Sequence, residues 1–424
     1  MKNRILIIWL FAIWGSSCRK TYEAPLPDTN WPLFNDSAGQ TLPASVRHAM
    51  EGVYRIRDGA PIFGEEAILK WSYLAHGKDT SFYLSFFCST DIAFIISEAK
   101  IFGDSILVNG YWRKMLNTQT GIARFTISFA GGTRQLLSPS PVILPDSILL
   151  NGQFGTGSSS PSRKMVLSYL RPLYNGTPFE IMAHRGGGRT SDLLPVAENS
   201  VGMIEFAGRL GATGVEVDTQ LTLDSIPVLY HDNTLNLRLI QKDGLVGSVG
   251  DYTYQQLNTF VRLTDGEPIP TLREALDAVV YNTALRFVWL DTKDGEPLQQ
   301  IRQIQAEYIR KAAAAGRSVE ILIGIPSQTE ENRFRELPDY ENIPSLCELS
   351  PGDAQLINSR VWAPRWTLGL QNEAVGQVHA AGRKAFAWTL DVPDYISQFI
   401  SNGNFDGILS DYSPLVAYYY YDRQ

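Results

Sequence analysis

Two of the five histidines in this chain close apolar runs, His184 in IMAHR and His231 in VLYHD. Glu216-Val217-Asp218 lies between them, and Asp291-Thr292-Lys293 follows. In a strand, residues two apart share a face, so Glu216 and Asp218 point one way, as do Asp291 and Lys293. Three converging carboxylates make an oxygen site for a hard cation, Mg²⁺ or Ca²⁺ rather than zinc. Two imidazoles with unperturbed pKa values of about 6.5 can give and take protons at neutral pH. Such a set suits proton transfer at a phosphate beside a metal.

Each piece alone has an ordinary structural use. A Glu-x-Asp pair at a strand end can be solvated or salt-bridged, either histidine can cap or fill a turn, and Asp291 with Lys293 can form an ion pair. Gly186-Gly187-Gly188 can cradle a phosphate with backbone N–H groups, or simply turn the chain. The functional reading comes from their order on successive elements.

Those elements repeat as strand then helix after about Asn175. Strands are expected at Glu180 to His184, Gly214 to Thr219, Arg286 to Lys293 and Glu320 to Ile325. Four more are expected at Ser345 to Leu349, Arg360 to Ala363, Lys384 to Leu390 and Gly407 to Ser410. Amphipathic helices are expected between them, in SVGMIEFAGRLGA, TLREALDAVV, PLQQIRQIQAEYIRKAAAAG, NEAVGQVHAAG and DYISQFISNG. The pattern predicts a parallel (β/α)₈ TIM barrel over residues 175–424, which places catalysis at the C-terminal strand ends. His184, Glu216, Asp218, Asp291 and Lys293 all fall at such ends.

The preceding 44–174 are different. Short β-branched and aromatic runs such as SFYLSFFCS, DIAFIISEA and IARFTISFA alternate with turn clusters, which predicts an all-β antiparallel barrel or sandwich. Asp104-Ser105-Ile106-Leu107-Val108-Asn109-Gly110 recurs as Asp146-Ser147-Ile148-Leu149-Leu150-Asn151-Gly152, either as a repeated hairpin unit or as chance reuse. Aromatics including Trp71, Phe82, Phe86, Phe87 and Trp112 are expected mainly in the core, with a glycan or lipid groove as the alternative.

Residues 1–18 read as an export signal: Lys2 and Arg4 precede an apolar core, then Gly15-Ser16-Ser17 lead to Cys18. This resembles a bacterial lipoprotein signal, which implies lipidation of Cys18 and a lipid-anchored protein of the cell envelope, periplasmic or at the outer-membrane surface. Residues 19–43, rich in Pro, Asp and Asn, are expected to form a tether. Cys88 and Cys347 would then remain, as buried small hydrophobes rather than a disulfide framework. Apolar residues at 44% and charged residues at 19% suit globular domains, and a net charge of −7 without a basic run argues against nucleic acid.

The ordered set His184-Arg185-Gly186, Glu198-Asn199-Ser200, Glu216-x-Asp218, Thr222-x-Asp224 and His231-Asp232 resembles the glycerophosphodiester phosphodiesterase family. Asp291-Thr292-Lys293, Ala387-Trp388-Thr389, Phe405-Asp406-Gly407-Ile408, Ser410-Asp411 and Pro414 extend the resemblance over roughly 180–414. It implies one divalent cation held by Glu216, Asp218 and Asp291, and acid/base roles for His184 and His231. It also implies Arg185 and Lys293 on the phosphate, Glu198 and Asn199 orienting the site, and Trp388 as an apolar wall. The reaction implied is hydrolysis of a glycerophosphodiester to an alcohol and glycerol 3-phosphate, in which a glycerol hydroxyl attacks first and water opens the cyclic phosphate. By resemblance His231 is the acid and His184 the base.

Asp291 stands where the family usually carries Glu, and the loop Gly187 to Val196 is longer. Asp at this position is similar to the sphingomyelinase D relatives, which form a cyclic phosphate from lysolipids or sphingolipids, an alternative enzymatic reading. A non-catalytic, surface-anchored binding protein is the alternative from another class.

Overall fold

The computed structural model describes residues 26–241, 245–293 and 298–424. The expected export signal with Cys18, and residues 19–25 of the expected tether, lie outside the described residues. The rest of that stretch does not hang free. Asn109 donates to the Thr29 carbonyl at 2.9 Å and Arg124 to the Asn30 carbonyl at 2.8 Å. Phe34 and Leu42 are buried, and β1 (Gln40–Thr41) pairs with a later strand. Composition sets a non-periodic path here, yet two apolar side chains and the peptide carbonyls find partners on the neighbouring domain.

That domain carries β2 (Gly52–Asp58), β3 (Glu66–His76), β4 (Asp79–Cys88), β5 (Ala93–Phe102), β6 (Ser105–Lys114), β7 (Thr120–Ile127), β8 (Leu149–Phe154) and β9 (Arg163–Arg171). Each strand pairs antiparallel with the next, and β9 returns to β2. The result is a closed up-and-down barrel rather than a sandwich, with β1 added against β5. Phe86 stacks on Phe125, while Phe63, Trp112 and Phe154 pack edge to face, so these aromatics fill the interior.

The near-repeat now has a spatial meaning, since its copies in β6 and β8 flank the same strand, β7. A Cβ on Gly110 would lie 2.0 Å from the Ile96 carbonyl oxygen, and one on Gly152 2.3 Å from that of Arg124. Both copies therefore end in glycine, where a neighbouring backbone approaches too closely for any side chain.

The second domain carries β10 (Glu180–Ala183), β11 (Gly214–Leu221), β12 (Pro227–Leu229), β13 (Phe287–Thr292), β14 (Glu320–Ile325), β15 (Ser345–Cys347), β16 (Val361–Trp362), β17 (Lys384–Ala387) and β18 (Gly407–Ser410). All except β12 run parallel, and β18 pairs with β10, closing the expected (β/α)₈ barrel. Every expected strand is present. Strand β12 is an antiparallel addition to the overhanging end of β11, and it folds the chain back over the barrel mouth.

Helices Val201–Ala207, Leu272–Asp277, Leu298–Ala314, Asn372–Ala380 and Pro393–Asn402 stand where amphipathic patterns predicted them. The helix Ser413–Tyr421 has no amphipathic pattern because it is covered on all sides, with Leu415, Val416 and Ala417 fully buried. It packs against β3 and β4 on one side and against β10 and β18 on the other, so one apolar cluster runs across both barrels while each keeps an interior of its own. Gly211, at φ +85°, lies in this seam, where a Cβ would come 2.7 Å from Ala417 and 2.9 Å from Phe87. Cys88 and Cys347 are buried and free. Among the described residues, no helix is long and apolar enough to cross a membrane.

Candidate active site

Strand register brings the acidic residues together. Asp218 and Asp291 are direct partners on parallel β11 and β13, and Glu216 stands two residues before Asp218 on the same face. Ligand-capable oxygens of Glu216, Asp218 and Asp291 lie within 4.8 Å of one another. Glu216 and Asp218 are only 3% and 1% exposed, so their charges need partners.

Those partners come from the chain. Lys293 Nζ donates to Asp218 Oδ1 at 2.6 Å and to Asp291 Oδ2 at 2.5 Å. Asn199 donates through Nδ2 to Asp218 Oδ2 at 2.7 Å and accepts from the Asp218 backbone N–H at 3.0 Å. The Arg185 backbone N–H donates to Glu216 Oε2 at 2.8 Å. Burial opposes ionisation of Asp218, but Lys293 and the two histidines outweigh it and hold its carboxyl below the usual range. Burial and the neighbouring Asp218 push Glu216 up to about 8, and burial with Asp218 raises Asp291. Oxygen-only donors, crowded enough to resist full ionisation, fit a hard divalent cation.

Both histidines flank this cluster. His184 donates through Nδ1 to Asp411 at 2.7 Å, and its Nε2 lies 3.8 Å from Glu216 Oε2. Burial opposes a charge on His184, but Asp411 and Glu216 prevail and raise its pKa to about 9. His231 is delivered by the β12 hairpin, where the Tyr230 N–H bonds the Asp218 carbonyl at 3.1 Å. Gln220 pins that turn by donating to the carbonyls of Tyr230 and Asp232 at 2.8 and 2.9 Å. His231 Nδ1 faces Asp232 at 2.7 Å, and its Nε2 lies 4.0 Å from Asp218 Oδ1. In each ring a carboxylate at Nδ1 fixes the orientation and turns Nε2 to the side of the acidic cluster.

Arg185 and Glu198 join the two halves. Arg185 donates through Nη1 to Glu198 at 2.9 Å and through Nη2 to His231 Nε2 at 2.9 Å. Glu198 also accepts from the Thr190 N–H at 2.6 Å and from Arg238 at 3.0 Å. Arg185 and Asn199 both hold left-handed backbone, at φ +53° and +57°, and the Asn199 N–H bonds the Arg185 carbonyl at 2.9 Å. Two strained non-glycine residues bonded to each other are maintained by the packed site around them.

The structure thus gathers His184, Arg185, Glu198, Asn199, Glu216, Asp218, His231, Asp291 and Lys293 into one network. Trp388 directly follows β17, and Arg365 bridges to it in parallel. Its indole bonds the Ala363 carbonyl at 2.6 Å, packs edge-on against Trp289 and lies under Arg365.

Three participants escaped sequence reasoning as site residues. Asp411 was legible only as part of a closing motif, not as the partner of His184. Arg238 bridges Glu198 and Asp232, which a charged residue six positions past His231-Asp232 on a loop did not disclose. Glu348, after β15, is held well above the usual carboxylate range by burial and by repulsion from Asp291 and Glu216.

Fold and site together define a (β/α)₈ barrel with two carboxylate-tied histidines beside a cluster of three carboxylates that could hold a cation. The chain belongs to the glycerophosphoryl diester phosphodiesterase family, whose sequence profile matches residues 184–414. The probable glycerophosphodiester phosphodiesterase 2 of Mycobacterium tuberculosis is 30% identical over 253 residues, covering 55% of this chain and 88% of that protein. Glycerophosphodiester phosphodiesterase 1 of Rattus norvegicus is 34% identical over 154 residues, 34% of this chain and 43% of the rat protein. This chain therefore spans less than half the length of that relative. A solved Oleispira antarctica phosphodiesterase in complex with the product sn-glycerol-3-phosphate is 20% identical, with TM-score 0.46, over 56% of this chain and 95% of that one.

Proposed function

We propose that this protein hydrolyses glycerophosphodiesters to an alcohol and glycerol 3-phosphate, with one divalent cation, Ca²⁺ or Mg²⁺, held by Glu216, Asp218 and Asp291. The observation that carries this reading is the pairing of the histidines with the acidic cluster. Each ring is tied at Nδ1 to a carboxylate and turns Nε2 toward a carboxylate of the cluster, His184 toward Glu216 and His231 toward Asp218.

Bound there, the cation would supply charge stabilisation on the phosphoryl oxygens and acidify a hydroxyl beside it. A cation on Glu216 would offset one of the charges that keep His184 protonated. His184 has the role of accepting a proton at Nε2. It takes that proton from the glycerol 2-hydroxyl, whose oxygen attacks phosphorus. His231, protonated at Nε2, gives its proton to the departing alkoxide. Protonation of that nitrogen also releases Arg185, whose guanidinium then faces the phosphate with Lys293. In the second half the roles exchange: His231 takes a proton from water, and His184 returns one to the 2-oxygen as the cyclic phosphate opens. Glu198 and Asn199 hold Arg185 and Asp218 in place throughout. Trp388 offers an apolar wall to the substrate.

We also infer that the protein is exported and lipid-anchored in a bacterial cell envelope through Cys18. The support is the order of charges, apolar run and small residues before that cysteine.

The test is a panel of choline, ethanolamine, glycerol and inositol glycerophosphodiesters with lysolipids, each assayed with Ca²⁺ and with Mg²⁺. Release of alcohol and glycerol 3-phosphate supports the reading. Turnover confined to lysolipids, with a cyclic phosphate as end product, replaces it.

A further inference from the structure

The antiparallel barrel has a point of contact with the catalytic end of its neighbour. Arg113, near the end of β6, is fully buried, and its Nη2 donates to the Leu193 carbonyl at 2.5 Å. Leu193 closes the turn Thr190–Asp192 and holds left-handed backbone at φ +51°. Beside it, Met115 from the strand end and Leu194 from the loop are buried in the same apolar cluster. Burying a guanidinium costs more than burying an apolar side chain, so such a residue is poor at joining domains merely for stability. It is well suited to fixing a backbone carbonyl in one place.

The loop so fixed reaches His184 through one intermediary and His231 through two. The Thr190 N–H holds Glu198, which holds Arg185, which contacts His231. Arg189 lies 3.1 Å from Asp411 Oδ2, and Asp411 holds His184 at 2.7 Å. Arg189 is itself braced by Asp192, at 2.9 Å from the backbone N–H and 3.1 Å from Nη2, and by the Tyr412 hydroxyl. Loops of this kind have low local stability unless something outside them holds them.

We propose that Arg113 is a positioning residue, through which the antiparallel barrel sets the loop Gly187 to Val196 and with it the orientation of both histidines. The inference rests on the hydrolytic reading for its catalytic consequence. It makes the β-rich domain part of the catalytic apparatus.

The experiment compares full-length Arg113→Met, Arg113→Lys and Tyr73→Phe. The last removes a different bond between the barrels, from the Tyr73 hydroxyl to the Thr283 carbonyl at 3.1 Å, near the opposite strand ends. Amide hydrogen exchange of residues 187–199, kcat, KM and the pH–rate profile are measured for each. In Arg113→Met, exchange at the Thr190 amide should rise about tenfold or more, because that amide then opens locally. Its kcat should fall between about 10- and 100-fold with a smaller change in KM, the scale expected of misplaced catalytic groups, and the pH limbs should move. Arg113→Lys should recover part of each, and Tyr73→Phe should change neither exchange in the loop nor the pH limbs.

Unchanged loop exchange, kcat and pH profile in Arg113→Met overturn the proposal, as does a Tyr73→Phe variant that reproduces its effects. If Arg113→Met does not fold, Arg113→Lys decides, and wild-type exchange and kcat there overturn it. If the wild-type protein turns over no phosphodiester, the hydrolytic reading fails, and the exchange measurement alone still tests the brace.

Discussion

Arg185 approaches Nε2 of His231 through Nη2 at 2.9 Å, so the guanidinium stands at the ring nitrogen proposed to carry the proton. Arginine has no lone pair to accept a proton, and a protonated Nε2 would repel it. The His231 proton and the free Arg185 guanidinium therefore arrive together. Removing the acid should expose this. In His231→Ala, kcat on a substrate with a poor alkoxide leaving group, such as glycerophosphocholine, should fall about 10²–10⁴-fold. On a p-nitrophenyl phosphodiester the loss should be small, and near-wild-type turnover of glycerophosphocholine would remove the acid role.

Asp411 and His184 form the other proton-handling pair. Asp411→Asn keeps the shape but replaces an acceptor that raises the ring's pKa and fixes its orientation. We expect kcat to fall by about 10²-fold or more, and the pH limb assigned to His184 to move down. The measurement is the pH–rate profile, and a limb that stays in place would detach Asp411 from His184.

Cation binding should depend on pH in a defined direction. Glu216, pushed up to about 8 by burial and by Asp218, must lose its proton before it can ligate. Affinity for Ca²⁺ or Mg²⁺ should therefore increase from pH 6.5 to 8.5, approaching tenfold per unit while one proton is displaced. Calorimetric titration at several pH values reads this, and chelation should abolish turnover. Activity that survives chelation would exclude the cation from the reaction.

Stability without metal follows the same groups. Both Glu216 and His184 have pKa values raised by folding, from 4.5 to about 8 and from 6.5 to about 9. A raised group stabilises fully below its unfolded pKa and loses that contribution as pH climbs through its folded pKa. Melting temperature of the metal-free protein should fall between about pH 6 and 9, and added cation should restore most at the alkaline end. A melting temperature rising across this range would contradict both assignments.

Arg238 offers a test of a residue that touches neither histidine's Nε2 nor the acidic cluster. It holds Asp232 at 2.5 Å and Glu198 at 3.0 Å. Arg238→Met should lower kcat by about tenfold through a misoriented His231, with little change in melting temperature because the side chain is 40% exposed. Loss of stability without loss of kcat would assign it a purely structural role.

What the sequence disclosed follows from how local each signal was. The eight barrel strands were legible because each carries a short apolar stretch between helical patterns, and β18 begins and ends where expected. The pair Glu216 and Asp218 was legible because their common face follows from a spacing of two. The link from His184 to Asp411 spans 227 residues and is made only when β18 closes on β10, so no local pattern encodes it. The helix Ser413–Tyr421 was hidden for a different reason. Covered by both barrels, it lacks the polar face that periodicity requires. The stretch 26–43 read as coil because coil it largely is, and its partners at Asn109, Arg124 and β5 reveal that it is docked.

Closure of both barrels carries a colloidal consequence. Among the described residues, the strands with a neighbour on one side only are the short β1 and β12, of two and three residues. An exposed edge is the template on which chains add to one another, and here nearly every ladder is satisfied within the molecule. Edge-to-edge pairing between copies of the described chain is thereby confined to two strands too short to template a long ladder.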